Sequence, residues 1–140
     1  MTTEDKKLLL KDLCGRLPYG IKVRYSSYEK FITCTLHAIN PVYHIVDLWS
    51  KNGCFNPVDI SKIKPYLFPL SSMTEEQKKE YEDALVYHDY VNGGWTMVKT
   101  FDDEYDVPYW FVDFCNENHL DYRGLIPMGL AIDATGKNIY

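Results

Sequence analysis

The chain lacks any long hydrophobic run, its apolar stretches being a few residues long, as at Leu8–Leu10. A membrane-spanning helix needs about 20 apolar residues, and the opening Thr, Glu and Asp are unlike the basic and then apolar start of an export signal. The expectation is a protein of the cell interior with no membrane partner. Cysteines are few: Cys14, Cys34, Cys54 and Cys115 form no C-x-x-C pair, and no His stands at finger spacing from them. That spacing argues against a closed zinc site and for reduced, mostly packed thiols. There is no G-x-S-x-G elbow, no Walker loop and no dinucleotide fingerprint. The acidic run Asp102, Asp103, Glu104 and Asp106 lacks the glycine and distal Glu of an EF-hand loop, so it reads as a solvated loop feeding a helix. His37 and His44 lie in strand-like runs, where exposed or satisfied histidines are commoner than metal pairs. No metal, cofactor or catalytic residue is expected.

What is present is the composition of one globular domain spanning 1–140. Apolar residues make up 46% and charged residues 25% of the 140, proportions that support a packed core rather than disorder. Aromatics reach 15%, with 12 Tyr and 3 Trp; such rings fill and rim a core, or stack on a base and anchor a partner. Charge is uneven, since residues 1–65 carry 10 Lys/Arg against 6 Asp/Glu while residues 66–140 carry 5 against 14. The overall charge of −5 opposes binding to duplex DNA, which rests on many phosphate contacts, and leaves room for a local anion site in the first half.

Thr3 followed by Glu4 and Asp5, with Leu9, Leu10, Leu13 and Leu17 at near-helical spacing, predicts a helix from Glu4 to Cys14, interrupted by Gly15 and Pro18. Leu17 to Gly20 is a turn. From Ile21 the period becomes two, with Ile21, Val23 and Tyr25 on one face and Lys22 and Arg24 on the other. Phe31–Ile39 and Val42–Trp49 are two further strands, closed by a turn at Lys51-Asn52-Gly53. Residues 56–69, with three prolines, read as irregular chain or one short edge strand at Val58–Ile63. Thr74 and Gln77 have capping-box spacing and open a helix to about Val86 that turns Tyr81, Ala84 and Leu85 inward. Asn92-Gly93-Gly94 breaks the chain, Trp95–Phe101 is a short strand or loop, and Pro108 starts a helix burying Trp110, Phe111, Phe114 and Cys115. The fold expected is α+β: a small antiparallel sheet of three to five strands, open or curled as an SH3-like barrel, flanked by about three helices.

Three segments, LLLKDLCGRLPYG (8–20), IKPYLFPLSSMTEEQ (63–77) and DYRGLIPMGLAIDATGKNIY (121–140), closely resemble a family of short uncharacterised proteins encoded by gut-bacterial phages and mobile elements. Residues 24–60 and 84–118 are less family-like. The resemblance implies a setting, a phage accessory protein in the cytoplasm of an infected bacterium, and no catalytic residue.

Two constellations stand out. Arg16, Tyr19, Lys22 and Arg24 combine cations with a ring, a mixture suited to a phosphorylated, base-containing ligand; a solvated outer face explains the same pattern. His119, Asp121, Tyr122 and Arg123 follow a helix end, where they either complete that pocket or serve the fold, His119 at the helix terminus, Asp121 in a turn and Arg123 in an ion pair. If both sets converge, Arg16, Tyr19, Lys22, Arg24, Asp121, Tyr122 and Arg123 enclose an anion-receptive hollow. The function expected is a non-enzymatic accessory protein that sequesters a nucleotide-like antiviral defence signal. A protein-interaction module masking a host enzyme is the alternative, and a phosphodiester hydrolase the third; oligomerisation stays open.

Overall fold

Thr2 starts the first helix, because its neighbour three residues on can answer it. In the computed structural model, which describes residues 1–82 and 109–140, the Thr2 hydroxyl accepts from the Asp5 amide and the Asp5 carboxylate accepts from the Thr2 amide, both at 3.1 Å. Thr3, expected to be the cap, has Lys6 at the corresponding position, which cannot return the bond. Helix α1 (Thr3–Arg16) also runs past Cys14. Gly15 does not stop it: a Cβ there would lie 3.0 Å from the Asn116 side chain, so the missing methyl admits a neighbouring helix. A single 3₁₀ turn over Leu17–Tyr19 ends at Gly20, whose φ of 68° is left-handed.

Six strands follow: β1 (Lys22–Ser27), β2 (Lys30–Asn40), β3 (Ile45–Ser50), β4 (Gly53–Asp59), β5 (Ile63–Leu67) and β6 (Ile132–Asp133). They form one sheet in the order β4-β3-β2-β1-β5-β6, antiparallel except for the β5–β6 pair. Val23 stands opposite Cys34, and Leu36 opposite Leu48. These side chains join Leu9 and Leu13 of α1 in the main core, so α1 covers that face; each buried aliphatic side chain there contributes about 1.5–3 kcal/mol.

The sheet corrects the expectation of three to five antiparallel strands, and it is open rather than an SH3-like barrel. Residues 56–69 hold β4, a 3₁₀ turn and β5 instead of one edge strand. Pro65, which argued against an interior strand, sits where partners change: β1 pairs with Ile63, Lys64 and Pro65, and β6 with Tyr66 and Leu67. The proline therefore has a ladder on one side only, where its missing N–H is tolerated. Strand β6, two residues long, falls where the sequence shows no period.

A second cluster lies beside the sheet. Thr74 and Gln77 make the expected reciprocal cap, at 3.1 and 2.9 Å, and residues 75–82 are helical (α2). Tyr81 of α2 packs its ring against Phe111 and Phe114 of α3 (Tyr109–Glu117). Phe111, Phe114 and Cys115 are buried and Trp110 partly so. Ala84, Leu85, Val86, the Asn92-Gly93-Gly94 break, Trp95–Phe101, the acidic run and Pro108 lie outside the described residues. Among those described, no helix is long and apolar enough to cross a membrane.

Candidate functional site

Arg16 is fully buried. Its guanidinium donates to both oxygens of Asp12, one turn earlier on α1, at 2.7 and 3.2 Å, and to the carbonyls of Leu120 (2.7 Å) and Cys115 (3.4 Å). Arg123 approaches the same Asp12 carboxylate at 3.4 Å. Tyr122 lies between the two cations, with Arg16 5.4 Å and Arg123 4.9 Å from its ring centre; burial raises its phenol above the ordinary value. Asp121 is spent locally, accepting from the amides of Leu125 and Ile126, both at 2.8 Å. Arg16, Tyr122 and Arg123 therefore gather around Asp12 between α1 and the chain after α3, while Asp121 braces the turn that follows. This node ties these elements together.

Lys22 and Arg24 project elsewhere. They alternate with Val23, whose side chain belongs to the core under α1, so they stand on the opposite face of the sheet. Tyr19 is partly exposed on its 3₁₀ turn. The seven-residue pocket expected from the sequence does not assemble; it divides into a buried structural node and a cationic open face.

That open face carries the better site. Across the sheet, Lys22 lies opposite Thr35, Thr35 opposite Trp49 and Trp49 opposite Cys54. The Lys22 ammonium donates to the Thr35 hydroxyl at 2.7 Å. A hollow of about 740 Å³ lies over this row, lined by Lys22, Thr33, Thr35, Trp49, Asn52 and Asn138 among others. The turn between β3 and β4 walls it on one side and the chain at Asn138–Ile139 on another. Trp49 is 51% exposed, and His37 stacks on it at 3.7 Å with 15° between planes. A register shift between Leu36 and Ala38 makes His37 the extra residue of a bulge, the device that re-aims a strand side chain.

One row away, Arg24 lies opposite Thr33 on β2 and Lys64 on β5. Its guanidinium carbon is 4.2 Å from the centre of the Phe31 ring, and its buried Nε has no hydrogen-bond partner among the described residues. Strands β1, β2 and β3 contain one carboxylate, Asp47, and neither Lys22 nor Arg24 is ion-paired among the described residues. The face is thus locally cationic on an acidic chain. Cations, hydroxyls and a half-exposed indole around a hollow can hold an anion attached to a flat ring.

Thr33, Thr35, Trp49 and Phe31 were not singled out from the sequence, and His37 was weighed only as half of a metal pair with His44. Alternation in β2 separates Phe31, Thr33 and Thr35 from Ile32 and Cys34, but only the cross-strand register brings Trp49 into line with Lys22. Among the described residues no group of three or more His, Cys, Asp or Glu gathers as a metal site; His37 is stacked as above, and His44 precedes β3 at a φ of 54°. The cysteines are free, Cys34 and Cys115 buried and Cys14 and Cys54 exposed; burial pushes the Cys115 thiol up to about 12. No family model, curated protein or solved structure matches the chain.

Proposed function

We propose that the protein binds and sequesters a nucleotide-like ligand on the open face of its sheet, without turning it over. The observation that carries this reading is the Lys22–Thr35–Trp49 row beneath a hollow of about 740 Å³. An ammonium and hydroxyls meet a phosphate there, and a half-exposed indole meets a base. The resemblance of residues 8–20, 63–77 and 121–140 to phage and mobile-element proteins supplies the setting: a phage accessory protein in the host cytoplasm, intercepting a nucleotide-like antiviral signal.

The test is thermal melting of the purified protein with a panel of cyclic and linear nucleotides. A ligand present at about 100 times its Kd adds about 2.7 kcal/mol to stability, a rise of several degrees. Trp49→Ala and Lys22→Glu are expected to abolish the rise. A panel with no shift overturns the reading, and recovery of the ligand unchanged separates sequestration from phosphodiester hydrolysis.

A second reading, the module that masks a host enzyme, draws on the tips of two connections. Tyr28 is fully exposed between β1 and β2, and Val42 and Tyr43 are exposed between β2 and β3. Capture of a defined host enzyme that fails with Tyr28→Ala or Tyr43→Ala, yet survives Trp49→Ala, would favour it.

A further inference from the structure

The open face has two aromatic platforms rather than one. Trp49 stands opposite Thr35, and Phe31 lies four residues earlier on β2. At about 3.3 Å per residue, the two rows are about 13 Å apart along the strand. Each ring is backed on one side by a polar group, Trp49 by His37 and Phe31 by Arg24, and each is otherwise open to solvent, Phe31 at 70% exposure. Thr35 and Lys22 share the Trp49 row, and the row of Thr33 and Arg24 lies between it and Phe31. The Arg24 guanidinium lies against the Phe31 ring.

We infer that this face takes a single-stranded oligonucleotide laid along β2, one base on Trp49 and another on Phe31, with the intervening phosphates facing Lys22 and Arg24. The inference rests on the proposed nucleotide site and specifies the length of its ligand. One base cannot stack on two rings about 13 Å apart, so a mononucleotide fills half of the face. Stacking on an aromatic side chain tolerates any base, so this arrangement reads length and backbone rather than sequence. Charge agrees with it: Lys22, Arg24 and Lys64 lie on this face by alternation, against Asp47 as the one carboxylate of β1, β2 and β3. A duplex hides its bases from such platforms and does not fit.

The experiment is fluorescence anisotropy with labelled mono-, di-, tri- and hexanucleotides of both RNA and DNA at fixed salt. Binding is expected to tighten about tenfold or more from one nucleotide to three, the gain of a second stacked base, and then to level off. Phe31→Ala is expected to remove that increment while leaving mononucleotide affinity intact; Trp49→Ala weakens both. Both rings are exposed, and an unchanged melting temperature confirms that each variant folds. If mononucleotides bind as tightly as trinucleotides, or Phe31→Ala leaves the length dependence unaltered, the two-platform inference fails and the mononucleotide site stands. If neither mononucleotides nor oligonucleotides bind, both fall. A duplex binding as well as the single strand also overturns the inference, and comparison of RNA with DNA assigns the sugar.

Discussion

His119, two residues past the end of α3, holds a left-handed φ of 57°. Its amide donates to the Asn116 carbonyl and that of Leu120 to the Cys115 carbonyl, at 3.3 and 2.8 Å, the paired bonds of a Schellman ending with histidine where glycine is usual. The ring stacks on Tyr140 at 3.8 Å. Burial, helped by repulsion from Arg16, lowers its pKa from 6.5 to about 4. Between those values the unfolded chain binds a proton that the folded chain refuses, so acidification from pH 6.5 toward 4 should reduce stability. His119→Asn, which tolerates the same backbone and does not titrate, is expected to flatten that part of the profile in urea unfolding at stepped pH. The aspartates held below their usual range by their own caps and turns, Asp5, Asp59 and Asp133, act in both proteins and at lower pH. The sequence placed His119 at a helix end; its stack on Tyr140 spans a separation that no local pattern reports.

At the scale of elements, Tyr140 completes the seam between β1 and β5. Val23 lies opposite Pro65, so continuation of the register would set Lys22 against Tyr66. There the Tyr140 phenol intervenes, donating to the Tyr66 carbonyl at 2.8 Å and accepting from the Lys22 amide at 3.1 Å. One hydroxyl thus stands in for a ladder bond just past the proline, and burial raises the phenol well above its ordinary value. Tyr140→Phe should cost about 1–2 kcal/mol and speed hydrogen exchange at the Lys22 amide more than at core amides such as Val23. The helices and the first three strands were legible because each carries its own period or cap: Thr74 with Gln77, Val23 alternating with Lys22. Strands β4, β5 and β6 were not, since prolines and brevity hide strands whose pairing is set by distant partners.

For the molecule as a whole, Arg16 joins two apolar clusters. It belongs to α1, whose Leu9 and Leu13 pack on the sheet, and it binds carbonyls of Cys115 and Leu120 in the α3 cluster. Removing one partner of a buried pair leaves the other charge uncompensated. Arg16→Met is expected to lower stability by about 3–5 kcal/mol in urea denaturation, and Asp12→Leu with Arg16→Met to lower it by less than the two single changes combined. Additive losses would show that the pair is not a unit. This node also explains why the expected seven-residue pocket divides: Arg16 and Arg123 are bound to Asp12 inside, while Lys22 and Arg24 have no carboxylate partner among the described residues. Residue type cannot distinguish these two fates of a cation.

Local chemistry in the sequence determined the α+β class, the capped starts of α1 and α2, the burial of Phe111 and Phe114, and the alternation that sends Lys22 and Arg24 to one side. Those features depend on neighbours within a few positions, where torsional preference and side-chain period act. Only the tertiary structure decided that Asp12 would face both Arg16 and Arg123, that Trp49 would stand in line with Lys22, and that Tyr140 would close the seam at β5. Each is a meeting between residues far apart in the chain, settled by strand register and by which buried groups can satisfy one another.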